Sequence, residues 1–599
     1  MGKNQKKQVK VKENNWMELL PLLLLAALQP LTAIGKKVAV WLADYPWFPN
    51  VDYQYDFFMY GKMVVFLILV IWCLVILIDR TIIRHQSLNL MKCFIPLGIY
   101  AMLVIFSTIV SIDKTLSLKG MWEQYETVWV LLAYLLIAFV TLQLIQNKKQ
   151  AQILTGALSI GAGIQVLIGI SQIFGKDFWN SGLGRMIISL GLDKSTDGAL
   201  NFQFADSIRN KVYMSLYNPN YAGVYIVLLL PVTIAAVVQA KRKWQKIMLA
   251  LVAAGLFVCL IGSGSKTGMA VVFALGMITA ILFLPGRKKV VAVLLCAAVS
   301  LMSWIAIGES GRTYVKKSLL RTVTKVETYK FQDIHADGQQ VYFRYDDHEI
   351  WLDIIEEKGE NVLTATDSDG RLLPTVWDEE QECWKINEKP FRGAAYTITS
   401  QDGIYILCIN KSGADWNFAK KGMNGSYGYV TRFGKINTIE EAPAVLKGYE
   451  RALSGRGYIW GRTIPLLSKH MLLGTGPDTF IEAFPQNDYV KRYNTSSAMY
   501  NEIPSKAHSM YLQSALQTGV LSVICLLVFW LWYLKDSISL YLLQKKGDWL
   551  GLACAVSVTG YLLMGVMNDS NLATAPVFWC ILGLGLSVNT GHKKSVENR

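Results

Sequence analysis

The sequence predicts an all-α polytopic membrane protein carrying a β-rich insert outside the bilayer, and three observations lead there. Of 599 residues, 52% are hydrophobic and only 17% charged, with a mean hydropathy of +0.31, too apolar for a soluble chain of this length. Apolar runs of about 17 to 21 residues, each long enough to cross a bilayer, recur in both flanks of the chain. Between about Thr313 and Asn437 the pattern changes to frequent charges and short alternating runs.

In chain order, Lys-rich Met1–Asn15 precedes an apolar run from Trp16 to about Ile34. Retention of this run as a span, rather than cleavage as a signal peptide, puts every basic linker on one side. Further runs lie near 61–79, 93–110, 127–145, 152–174, 220–239, 247–262, 268–285, 290–307, 515–534, 549–567 and 575–588. The total is about twelve spans, with both termini on the same side. Arg80, Arg84, Lys148, Lys149, Lys241–Lys243, Arg287–Lys289, Lys535, Lys545, Lys546, Lys593 and Lys594 share that side, which the positive-inside rule assigns to the cytoplasm. The chain is therefore expected to be multi-pass in the cytoplasmic membrane, with its large loop extracytoplasmic. The net charge of +15 is then a matter of topology, and nucleic acid is not an expected partner. On the outer face lie Gly35–Tyr60, Asp177–Asn218 and Gly308–Gln513. The aromatic cluster Trp41, Tyr45, Trp47, Phe48, Tyr53 and Tyr55 suits the outer headgroup level.

The expected division is 1–311 as a bundle of about nine spans, 312–437 as the β-rich insert, 438–513 as a helical outer loop and 514–599 as a bundle of about three spans. In the insert, Gln340–Tyr345 and Gly403–Cys408 alternate as strands do, and Ala336-Asp337-Gly338, Asp367-Ser368-Asp369-Gly370 and Gln401-Asp402-Gly403 are turn chemistries. Asp367-Ser368-Asp369 also matches the acidic pair that soluble glycosyltransferases place on a metal-bound sugar nucleotide. Its glycine and strand-like flanks favour a turn. Six histidines without an HExxH pair and nine cysteines without CxxC give no support for zinc or haem, and no glycine-rich nucleotide loop opens a helix. No cofactor or metal is expected. Cys383 and Cys408 leave two readings open, a disulfide or two free thiols.

The spans carry almost no ionisable residues in their interiors, whereas transporters place such groups at membrane depth. That balance favours an enzyme working at the outer surface. Chemistry is expected in Ser454–Gln513, where Gly474-Thr475-Gly476-Pro477-Asp478-Thr479-Phe480 reads as a glycine turn into a short helix with Pro477 in the first turn. Three basic side chains stand out on the same face. Lys266 sits in a very short outward connection, Arg456 lies between Gly455 and Gly457, and His508 follows Pro504 and Ser505, read as a helix start whose dipole favours the neutral ring. Two fixed cations and a base would suit attack on a sugar with a diphosphate leaving group. The structural readings are a capping or packing histidine, an Arg456 paired with a loop carboxylate, and a Lys266 reaching for headgroups.

Four motifs occur in order: Tyr217-Asn218-Pro219-Asn220; Ser265-Lys266-Thr267-Gly268; Ser454-Gly455-Arg456 to Trp460 followed by Gly474–Phe480; and Ala507-His508-Ser509-Met510-Tyr511-Leu512-Gln513. Together they resemble the O-antigen ligase and O-antigen polymerase superfamily of bacterial membrane glycosyltransferases. The resemblance implies a GT-C-like fold. It also implies glycan transfer from an undecaprenyl diphosphate-linked donor to a lipid, glycan, cell-wall or protein acceptor. Arg456 would hold the diphosphate and His508 would activate the acceptor hydroxyl, with Asn218, Asn220, Asp478 and Tyr511 in support. Arginine is usual where Lys266 stands, and lysine lacks the bidentate fork; Arg209 or Lys211 is the candidate to supply it. A ligase is the expected activity. The alternatives are a polymerase, a lipid-linked oligosaccharide transporter, and a receptor whose insert binds a ligand.

Overall fold

The computed structural model describes residues 16–192, 211–306, 308–411, 413–545 and 548–597. Helices occupy the apolar runs because unpaired backbone groups cannot be left in hydrocarbon. Against an expected count of about twelve, seven helices among the described residues are long and apolar enough to cross a membrane: Met59–Ile83, Lys92–Ile109, Lys148–Ile173, Pro219–Gln239, Lys243–Ser263, Lys266–Phe283 and Val520–Leu543. Trp16–Leu31, Val128–Leu144 and Trp549–Met564 are apolar but shorter. Polar caps trim the last two, with Thr127 accepting from the Val130 N–H and Asp548 from those of Leu550 and Gly551. Two further helices, Gly286–Ala306 and Ala575–Glu597, fill the other runs. The chain is a multi-pass membrane protein.

Pro219–Gln239 is the most enclosed span. Small residues let its neighbours close on it: Gly223 lies against the Ser265 side chain and Gly560 against Val227. Ser557 donates to the Leu228 carbonyl at 2.7 Å. One ionisable group departs from the apolar pattern. Lys62, fully buried near the start of Met59–Ile78, donates to the Thr32 carbonyl, and Asp56 one turn earlier accepts the N–H groups of Phe58, Met59 and Tyr60.

The helix Gly308–Val323 leads into the strands. Phe331–Asp367 forms a four-stranded antiparallel meander, and Thr375–Asn437 a seven-stranded one. The two sheets share one core, in which Phe331 stacks on Trp416 at 5.0 Å. The buried Lys420 reaches across to Asp353 at 2.6 Å. Asp367-Ser368-Asp369-Gly370 is a turn: Asp367 Oδ1 accepts from the Asp369 and Arg371 N–H groups, and Gly370 has φ +76°. Cys383 and Cys408 are free thiols. They lie on strands with a third strand between them, hence about 10 Å apart, beyond disulfide reach.

The aromatic segment near residue 50 is corrected by the structure. Lys36–Ala39 and Tyr53–Asp56 pair as a hairpin. Its tip turns Trp47 and Phe48 into protein, against Leu116, Met121 and Ile481, rather than toward headgroups. Tyr45 donates to Glu482 at 2.5 Å, and Thr431 donates to the Pro46 carbonyl at 3.1 Å.

Candidate functional site

Arg456 opens the helix Arg456–Leu467. The approach is unusual: Leu453, Ser454 and Gly455 all have positive φ (+51°, +61° and +91°). At Gly457 a β-carbon would lie 2.0 Å from the Tyr449 carbonyl, so only glycine lets the chain pass. The half-buried Arg456 side chain bonds carbonyls, Nε to Met567 at 3.1 Å and Nη1 to Leu453 at 3.2 Å. Burial lowers its affinity for its proton, and nearby Asp569 counteracts this.

His508 does not lie in the first turn of a helix starting at Pro504 and Ser505. That helix runs Met510–Thr518 behind Ser509, and His508 precedes it at φ +52°. The loop is held from three sides. Gln513 accepts the Ala507 N–H at 2.7 Å, Trp460 Nε1 donates to the Ala507 carbonyl at 2.9 Å, and Gln124 donates to the Ser505 carbonyl at 3.1 Å. The helix dipole is therefore not what orients the imidazole. His508 Nδ1 meets Asp569 Oδ2 at 3.1 Å, with the histidine side chain 45% exposed and the aspartate 5%. Nδ1 is thus the ring nitrogen that the aspartate engages.

Asp569 lies in the polar connection between Trp549–Met564 and Ala575–Glu597. Burial pushes its carboxyl up, but His508, Lys506 and Arg456 outweigh this and hold it below its ordinary value. Its Oδ1 is buried with no hydrogen-bond partner among the described residues. Lys506 Nζ donates to Tyr221 OH at 3.0 Å. Around them stand carboxylates from the loop before Val128–Leu144. Glu126 accepts from Ser570 at 2.7 Å and from Tyr134 at 2.9 Å, and Glu123 accepts from Tyr217. Burial pushes the Glu123 carboxyl up to about 7, against the Tyr217 hydrogen bond and Lys506.

His508, Arg456, Lys506 and Asp569 thus converge at one end of the bundle. Sequence reasoning missed Asp569, Lys506, Glu123 and Glu126. Asp569 had a signal, since Asn568-Asp569-Ser570-Asn571 breaks two apolar runs on the outward side; Lys506 stands two residues from His508. The other residues named from the sequence are placed around this centre. Asn218 caps Pro219–Gln239 by accepting the Asn220 N–H at 2.8 Å, and Asn220 is exposed. Lys266 is exposed at the start of its helix, after Ser265, which packs on Gly223 two residues past Tyr221. Lys211 is exposed beside Val212, whose N–H bonds Gly262. Arg209 lies outside the described residues.

Asp478 is buried at φ +63° and accepts the Met121 N–H at 2.6 Å, which holds the loop bearing Glu123 and Glu126. Burial pushes its carboxyl up to about 7. Pro477 lies in the turn, accepting from Ser117, and not in the first turn of Phe480–Ala483, which Thr479 precedes. Tyr511 donates to the Leu562 carbonyl at 2.8 Å, tying the His508 loop to the helix before Asp569.

Residues 421–527, which hold both Arg456 and His508, match the family model described as O-antigen ligase. This segment is similar to the O-antigen ligase family, and the rest of the chain lies outside the match. The comparison with curated proteins returns no match. Tyr217–Asn220, Lys266 and Asp569 lie outside the matched segment, and the His508–Asp569 contact joins the last of them to it.

Proposed function

We propose that the chain is a glycan ligase of the outer face of the cytoplasmic membrane, moving a glycan from undecaprenyl diphosphate to an acceptor hydroxyl. The observation that carries this reading is the His508–Asp569 pair at 3.1 Å, set beside the cationic side chains of Arg456 and Lys506. The acceptor oxygen attacks the anomeric carbon as the bond from that carbon to the diphosphate oxygen breaks. His508 Nε2 takes the hydroxyl proton, and Asp569 orients the ring through Nδ1 and balances the imidazolium. Arg456 and Lys506 oppose the charge gathering on the departing diphosphate, an effect worth about 3 kcal/mol for a well-placed donor. The basic linkers support termini in the cytoplasm, with the insert and the loop bearing Arg456 and His508 outside.

The test uses membranes of a deletion strain complemented with wild type, His508→Ala or Arg456→Ala at matched expression. Carrier-linked glycan, free polymer and final acceptor are followed. Carrier-linked glycan of normal chain length without acceptor product is the expected result for both variants. Accumulation of single repeats would make the chain a polymerase, and wild-type behaviour of both variants would end the enzyme reading.

A further inference from the structure

A second polar crevice lies away from His508, at the seam between the strands and the outer loop. Trp47, Tyr429, Arg432, Tyr489, Arg492 and Tyr500 are among its walls, and its volume is about 30 Å³, room for one small polar group. The three segments that build it are fastened together. Tyr489 and Val490 belong to the core of the sheets, Tyr429 OH lies 3.3 Å from Tyr500 OH, and Thr431 donates to Pro46.

Arg492 is 3% exposed. Its Nη2 donates to the Gln486 carbonyl at 2.9 Å, and Nη1 reaches the Glu502 carbonyl at 3.3 Å and Gln486 Oε1 at 3.5 Å. Its Nε is buried with no acceptor among the described residues, an expensive omission for a charged donor. The guanidinium lies 4.7 Å over the Tyr489 ring. Arg432 is exposed at the rim, over Phe433 at 4.6 Å, and donates to the Asn501 carbonyl. Burial and the neighbouring Arg492 lower its affinity for its proton. Glu502, also exposed, is the acid in the lining. Both guanidiniums line the crevice, with neutral oxygens as their hydrogen-bond partners among the described residues, beside aromatic walls of the kind that stack on sugar faces.

We propose that this crevice is a binding subsite for an anionic glycan. The charged group, a hexuronate carboxylate or a phosphodiester, enters between Arg432 and Arg492, while its ring stays outside at the rim. This rests on the reading of the chain as a glycan ligase for its biological meaning, not for its binding chemistry. The subsite would hold the acceptor or the distal part of the donor glycan while transfer proceeds at His508.

The test is binding to the purified full chain in nanodiscs, with oligogalacturonate, oligo(glycerol phosphate) and a neutral galacto-oligosaccharide as probes. At least one anionic probe should bind and the neutral probe should bind much more weakly; which anionic probe binds identifies the source of the charge. Arg432→Gln, at an exposed position, should weaken that binding about tenfold, as loss of a charged hydrogen bond does. Glu502→Gln should tighten it about twofold to threefold by removing a like charge. His508→Ala should bind as wild type, so failure of the ligase reading leaves this result standing. Equal binding of neutral and anionic probes, no binding of either anionic probe, or unchanged affinity in Arg432→Gln would overturn the subsite.

Discussion

The helix Arg456–Leu467 carries an arginine at each of two kinds of place, and the contrast separates structure from chemistry. Arg462, 1% exposed along its side chain, meets Asp488 at 2.7 Å and Glu450 at 3.7 Å. Its charge is used up inside the protein. Arg456, two turns earlier, has the carbonyls of Met567 and Leu453 as its hydrogen-bond acceptors among the described residues and shares the field of Asp569 with His508 and Lys506. A buried cation that has its own carboxylates holds a loop together; one left with carbonyls is available to an anion.

The largest effect that would break this contrast is on His508. His508→Ala should lower transfer about 10³-fold, measured as acceptor product per carrier-linked glycan, with no loss of folded protein. Next, Arg462→Ala should destabilise by about 3–5 kcal/mol, because Asp488 is left buried and unpaired; thermal melts in detergent would show it, and Arg456→Ala should leave the melt nearly unchanged while lowering transfer about 10²-fold. Equal melting shifts in the two variants would erase the distinction.

Asp569→Asn sharpens the other half of the site. It should lower transfer by about tenfold to a hundredfold and change its pH profile, since the imidazolium loses its balancing charge. A smaller effect is expected at Glu123. Its carboxyl ionises near 4.5 when unfolded and is pushed up to about 7 in the fold, so the folded state holds the extra proton between those values. Stability then falls as pH rises from about 4.5 through about 7, and Glu123→Gln should flatten that slope in melts taken across the range. Lys266→Ala should be smallest, about threefold to tenfold on transfer, in keeping with an exposed point charge.

Much of the architecture was legible because it is local. The apolar runs and the alternation of Gln340–Tyr345 are periodic signals: the latter became a strand, and the runs became helices, of which seven among the described residues are long and apolar enough to cross a membrane. Two of the four motifs, those bearing Arg456 and His508, lie within the segment that the family model matches. What the sequence hid were pairings across distance: His508 with Asp569 is 61 residues apart, Lys506 with Tyr221 is 285, and Glu126 with Ser570 is 444. No local period encodes these. The helix start near His508 was misplaced for the same reason, because Trp460 and Gln124 hold Ser505–Ala507 in an extended path. Trp47 looked like a headgroup anchor because nothing nearby in the sequence shows that Leu116, Met121 and Ile481 cover it.

The two ends of the strand-bearing insert lie side by side. The Val326 N–H bonds the Gly448 carbonyl at 2.9 Å, and Gly448, at φ +86°, stands where a β-carbon would lie 2.7 Å from the Val326 carbonyl. Entry and exit are thus clasped side by side, one turn before the approach to Arg456. With its ends clasped, the insert can change length between them without shifting the register of the helix Arg456–Leu467, as long as the face that packs on Tyr489 and Val490 is kept. Variation inside the insert is thereby separated in register from the segment that bears Arg456.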